Sequence, residues 1–193
     1  MNRPLSVVNT DQDAIVNLLS IHSPAHSKIL DCTYSTGSMW RGLKYDIVKC
    51  DLTANNKIDI QADCMAMPFL SNVFDVIVFD PPHIADGGSG GIMHKRYGSN
   101  KGLGLSILME RFLCDASRVL VPNGLVLAKI ANGVHSNRFN NMSRLFLDYA
   151  ELSGFEQVDE SIRVSNHLIN DPKWNRILHL RRAHVYWLAV KCV

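Results

Sequence analysis

The sequence has no CxxC pair, and its cysteines are odd in number: Cys32, Cys50, Cys64, Cys114 and Cys192. That argues against a disulfide framework or a cysteine-built zinc cluster and fits reduced thiols. No uncharged apolar run approaches the roughly 18 residues that a membrane span needs. The opening stretch, MNRPLSVVNTDQDAIVNLL, has neither the long apolar segment nor the small-residue cleavage site of a signal peptide. These absences argue against secretion and membrane insertion and set a cytoplasmic expectation. No His, Cys and Asp spacing resembles a metal site. The glycine pattern GxGxxG is missing, which disfavours a nicotinamide dinucleotide as ligand. Repeats and low-complexity tracts are absent and no Pro/Gly/Ser-rich linker divides the chain, so residues 1–193 read as one domain.

What is present suits a soluble α/β protein. The 193 residues are 47% apolar and 20% charged, a globular balance. The net charge of +2 hides an asymmetry: residues 1–90 carry 6 Lys/Arg against 10 Asp/Glu, and residues 91–193 carry 14 against 8. An acidic half suits a cationic or polyhydroxyl ligand, and a basic half suits a polyanion. Thr10 and Asp13 form a capping signature for a helix over 11–22. SKILDCT, YDIVKCD, KIDIQAD and VFDVIVFD read as four buried strands, the last at 73–80. Apolar residues at helical spacing from Leu105 to Val119 predict a helix over 105–120. Pro122-Asn123-Gly124 reads as a turn before the strand GLVLAKI. A helix over 138–153, ended by Gly154, precedes the strands FEQVDESIRV and HVYWLAVKC. Alternation of strands and helices predicts a mostly parallel sheet covered on both faces, and the weak connection between the last two strands predicts an antiparallel final strand.

In such sheets ligands bind outside the carboxyl ends of the strands, where strand order reverses. The first strand ends in Asp31-Cys32-Thr33-Tyr34-Ser35-Thr36-Gly37-Ser38, a turn of small residues whose backbone can approach a ligand. The second ends in Asp51, 20 residues after Asp31, an offset that suits ribose hydroxyls. The third ends in Asp63, placed to accept from an adenine amino group. An acid at one such position alone is more often a helix cap or a solvated loop residue; three at three consecutive strand ends are more informative. The fourth strand ends in Asp80-Pro81-Pro82-His83. The prolines fix the backbone and leave carbonyls exposed, so a carboxylate and a rigid carbonyl can converge on an exocyclic amine while the imidazole stacks on its ring. Beyond it, residues 86–104 hold seven glycines with His94, Lys95, Arg96 and Lys101, a segment that can close over a substrate, its cations meeting phosphates and Tyr97 stacking. Arg181 and Arg182, with His179 and His184, form a second basic cluster that reads either as a phosphate clamp or as an exposed face.

Taken together these residues resemble the class I S-adenosylmethionine-dependent methyltransferases, and more narrowly the amino-methyltransferases that modify adenine N6 or cytosine N4 in nucleic acids. The resemblance covers about residues 10–193. It implies a Rossmann-like, seven-stranded sheet with an antiparallel last strand. It also implies S-adenosyl-L-methionine as cofactor, bound by Asp31, Thr33, Ser35, Gly37, Asp51 and Asp63, and a catalytic motif Asp80-Pro81-Pro82-His83 acting on a flipped base. This chain has Ser35 where the family commonly has glycine, and His83 where it has Tyr, Phe or Trp. Lys95, Arg96, Tyr97, Lys101, Arg181 and Arg182 are the expected nucleic-acid contacts, with DNA ahead of RNA. No separate target-recognition domain follows the motif, which leaves open weak specificity, a partner (a second copy of the chain or a separate recognition subunit), or RNA as the substrate. A catalytically silent nucleic-acid-binding subunit is the reading from another class, and the intact Asp80-Pro81-Pro82 disfavours it.

Overall fold

The computed structural model describes residues 4–82, 104–135, 138–165, 180 and 183–193. Its strands are β1 (Val7–Val8), β2 (Ile29–Asp31), β3 (Ile47–Asp51), β4 (Ile60–Gln61), β5 (Phe74–Phe79), β6 (Leu120–Ile130), β7 (Gly133–His135), β8 (Arg138–Asn140), β9 (Phe155–Val164) and β10 (His184–Cys192). The helices are α1 (Asp11–His22), α2 (Leu105–Val119) and α3 (Met142–Leu152). Eight strands form one sheet in the order β1-β9-β10-β6-β5-β2-β3-β4, and β7 pairs with β8 alone. β10 runs antiparallel to both β6 and β9; the other pairings in the large sheet are parallel. The seven expected strands are all present, the last antiparallel.

Both faces of the sheet are covered, which is why its central strands are apolar at successive positions. On β5, Ile77 and Phe79 join the core beneath α2 and α3, while Val76 and Val78 join the core beneath α1. On β6, Val126, Ala128 and Ile130 take the first face and Leu125 and Leu127 the second. Phe112 of α2 stacks on Phe79 with ring centroids 3.8 Å apart. α1 starts as its cap predicts: the Thr10 hydroxyl oxygen accepts from the Asp13 amide at 3.0 Å.

Three expectations are corrected. An eighth strand, β1, adds to the sheet edge beside β9, held by the Ile162 amide donating to the Ser6 carbonyl at 2.6 Å. Two residues are too few to leave a periodic signal. The helix expected from 138 begins at Met142, because Arg138–Asn140 pair back on Gly133–His135 and Asn141 caps the helix, its side chain accepting from the Arg144 amide. The Pro122-Asn123-Gly124 turn lies inside β6 as an irregularity: the register against β5 jumps from Phe74↔Leu120 to Val76↔Leu125, and Asn123 takes φ of 63°. Gly124 is required there, since a β-carbon would lie 2.8 Å from the Val121 carbonyl oxygen.

Candidate active site

Strand order reverses beside β2: β3 and β4 lie on one side of it and β5 on the other. At the carboxyl ends of these strands a cleft is lined by Thr33, Tyr34, Ser35, Thr36 and Ser38 after β2, Asp51 and Leu52 at β3, Asp63, Cys64 and Met65 after β4, and Asp80 and Pro82 after β5. The topology thus gathers residues from Cys32 to Leu108, far apart in sequence, onto one cleft.

Hydrogen bonds hold the wall in place. The Asp51 carboxylate accepts from the Ser35 amide at 2.7 Å and from the Thr53 amide at 2.8 Å, locking the loop after β2 onto the end of β3. A carboxylate has about four lone-pair directions, so two backbone donors leave acceptor capacity for a ligand's hydroxyls. Asp63 accepts from the Met65 amide at 2.9 Å in the same manner. The Thr33 hydroxyl oxygen accepts from the Asp80 amide at 2.7 Å, joining the first loop to the Asp80-Pro81-Pro82 turn. Ser35 adopts φ of 49°. That left-handed geometry is one glycine adopts without cost and serine does not, a physical reason for glycine at such a position.

Of the residues expected to touch a cofactor, Thr33, Ser35, Asp51 and Asp63 line the cleft, and Asp31 and Gly37 do not. Asp31 departs most from expectation. It is fully buried, and its two oxygens accept from the Thr33 amide at 3.0 Å and the Trp40 indole N–H at 2.6 Å. Burial pushes its carboxyl up to about 7, against the pull of the Trp40 and Thr33 bonds and with repulsion from Asp80 and Asp51. Its work is to shape the loop from inside. Gly37 also acts on shape: it takes φ of +67°, and a β-carbon there would run into the Tyr34 ring.

Asp80 and Pro82 line the cleft, while Pro81 is buried behind it. His83, Lys95, Arg96, Tyr97, Lys101, Arg181 and Arg182 lie outside the described residues. Leu52, Met65 and Leu108 give the cleft its apolar surface. They were not evident from the sequence; the available signal was that Leu52 follows the acid ending its strand directly, and Met65 two residues after its own. Cys32 and Cys64 also line the wall, and burial holds the Cys32 thiol well above its ordinary range, so it faces the cleft as a neutral thiol. Among the described residues no group of three or more His, Cys, Asp or Glu is placed to hold a metal, and no helix is long and apolar enough to cross a membrane.

One contact had no counterpart in the sequence reading. Lys129, next to last in β6, reaches Asp80 at 3.0 Å and Asp11 of α1 at 3.1 Å. Burial works against its charge, but the two carboxylates outweigh burial and raise the ammonium above its ordinary value.

Comparison with solved structures now gives the fold its place. A SAM-dependent methyltransferase from Methanosarcina mazei aligns over 90% of this chain and 96% of its own at 9% identity, with a TM-score of 0.56. The fold is that of the class I methyltransferases. The cyclase SpnF aligns over 92% of this chain and 80% of its own at 14% identity and a TM-score of 0.58, so this architecture also carries other chemistry. A provisionally assigned DNA modification methylase from Thermus thermophilus aligns over 64% of this chain at 16% identity and a TM-score of 0.42, and the chain spans about half of its length (47%). No protein-family model and no curated protein matches the sequence.

Proposed function

We propose that the protein is an S-adenosylmethionine-dependent methyltransferase acting on the exocyclic amine of a nucleic-acid base, adenine N6 ahead of cytosine N4, with DNA ahead of RNA. The observation that carries this reading is the convergence of Asp51, Asp63 and the Asp80-Pro81-Pro82 turn on one cleft at the switch point of the sheet. The wall fits the cofactor on chemical grounds. Asp51 has acceptor capacity for a pair of ribose hydroxyls, Asp63 can accept from an adenine amino group, and Leu52, Met65 and Leu108 offer apolar surface to a planar ring. When bound, the cofactor supplies an electrophilic methyl group on a sulfonium.

The rest of the work falls to this chain's own residues. Asp80 and the Pro81 carbonyl hold the two N–H donors of the target amine and so orient its lone pair toward the cleft. His83 stacks on the base. The amine needs no strong base beforehand, because it becomes acidic only once alkylated, so most of the acceleration comes from orientation. Lys95, Arg96 and Lys101 engage backbone phosphates, and Tyr97 stacks; Arg181 and Arg182 extend the basic surface.

The test is transfer of isotopically labelled methyl groups from the cofactor to a panel of DNA and RNA, with the modified nucleoside identified by mass spectrometry. N6-methyladenosine or N4-methylcytosine, as the deoxyribonucleoside or the ribonucleoside, supports the reading and names the target. Label on a ring carbon, on ribose, or on no nucleic acid despite tight cofactor binding overturns it.

A further inference from the structure

The strongest unexplained feature beside the cleft is the charged chain behind Asp80. Lys129 lies on β6 at a position whose alternation shares the α1 face with Leu125 and Leu127. Apolar residues fill that face on both neighbouring strands, and a lysine there must find carboxylates or lose its charge. It finds two, Asp80 Oδ2 at 3.0 Å and Asp11 Oδ2 at 3.1 Å, with its side chain only 13% exposed. The Asp11 carboxylate is shared further: its Oδ1 accepts from the Trp187 indole N–H at 3.0 Å and lies 3.2 Å from Arg163 Nε. Trp187 is the cross-strand partner of Lys129, its ring centroid 6.0 Å from the ammonium. Asp11 sits in the first turn of α1, where the helix N-terminus favours an acid.

We propose that Lys129 is the positioning residue of the Asp80-Pro81-Pro82 turn, holding the Asp80 carboxylate ionised and in one orientation, while Asp11 anchors the lysine and ties the turn to α1. The inference rests on the proposed amine-methylating role of the turn. The geometry favours this over a purely structural ion pair. Lys129 reaches the strand end that bears the motif, and it is held as well by a second acid, Asp11, that has its own cation in Arg163. Asp11 has Arg163 beside it as well as Lys129, and Asp80 lies near a further acid, Asp31, whose carboxyl it repels. An ionised carboxylate accepts amine N–H bonds more strongly than a neutral acid does. Loss of Lys129 therefore weakens the hold on the amine by allowing Asp80 to protonate.

The experiment follows the Asp80 carboxyl carbon by ¹³C NMR across pH in full-length protein, assigned with Asp80→Asn, in wild type, Lys129→Met, Lys129→Arg and Asp11→Asn. Lys129→Gln, which keeps an N–H donor, is the second neutral variant should methionine prevent folding. Removing the adjacent cation is expected to raise the Asp80 midpoint by about 1–3 units in either neutral variant. Arginine should restore it, and Asp11→Asn should not raise it. In methyl transfer, the acid limb of the kcat/KM profile should move to higher pH by the same amount in the neutral variants and return with arginine. An Asp80 midpoint unmoved in a folded neutral variant, or moved equally by Asp11→Asn, overturns the proposal. The NMR titration reads Lys129 whether or not the wild type transfers methyl groups. A wild type inactive on every nucleic acid therefore counts against the proposed function, and a flat titration counts against the role of Lys129.

Discussion

Asp31 offers a test of whether burial governs the loop after β2. Its carboxyl is pushed up to about 7 by burial, from the ordinary 3.8. The sign follows from linkage: between these two values the folded state binds more protons than the unfolded state, so this group makes stability fall as pH rises toward 7. The full effect corresponds to about 4 kcal/mol at about 1.4 kcal/mol per unit, and between pH 5 and pH 8 about 2.5 kcal/mol of it is expressed. Asp31→Asn removes the titration while retaining an acceptor for Trp40; it gives up the Thr33 amide bond, a roughly constant loss of about 1 kcal/mol. The assay is urea unfolding of both proteins at pH 5 and pH 8. Wild type should lose about 2.5 kcal/mol more than the variant over that interval. Equal losses would refute the reasoning and mean that the Trp40 and Thr33 bonds keep Asp31 ionised despite its burial.

Other consequences can be measured on the same material. Asp51→Ala should weaken S-adenosylmethionine binding in calorimetry by roughly 1–3 kcal/mol, through unmet hydroxyls and a loosened Ser35 loop; unchanged affinity removes Asp51 from the site. Ser35→Gly relieves a left-handed serine and should raise the urea-unfolding free energy by up to about 1 kcal/mol, whereas a loss would show that the serine side chain holds the loop. Replacing Lys95, Arg96 and Lys101 together by alanine should flatten the salt dependence of nucleic-acid binding by about one unit of slope per lost phosphate contact. An unchanged slope excludes that segment from the interface.

The parts of this fold that the sequence makes legible are those with long uninterrupted patterns. The helix 11–22 and the strands 155–164 and 184–192 begin and end where their patterns do, because a capped amphipathic helix and two long half-buried strands each carry their own signal. The strand-end acids were legible as a set, since the βα succession alone brings Asp51, Asp63 and Asp80 to one edge. Asp31 belongs to the same pattern, yet its partner Trp40 lies in a short 3₁₀ turn that no periodicity announces, and that partner turns the carboxylate inward. Lys129 was hidden for a different reason. Its partner Asp11 is 118 residues away on α1, and only the packing of that helix on the sheet brings the two together. A lone lysine in the otherwise apolar run GLVLAKI was the one signal available.

The central claim is that the Asp80 turn presents an amine to a cofactor held by the neighbouring strand ends. The measurement that tests it most directly is methyl transfer by Asp80→Ala, made alongside calorimetric S-adenosylmethionine binding by the same preparation. Cofactor affinity should stay near that of wild type, while transfer to the preferred nucleic acid falls by about 100-fold or more, the scale expected when a reacting group loses its orientation. Full transfer by a well-folded Asp80→Ala protein would contradict the account and make Asp80-Pro81-Pro82 a structural turn.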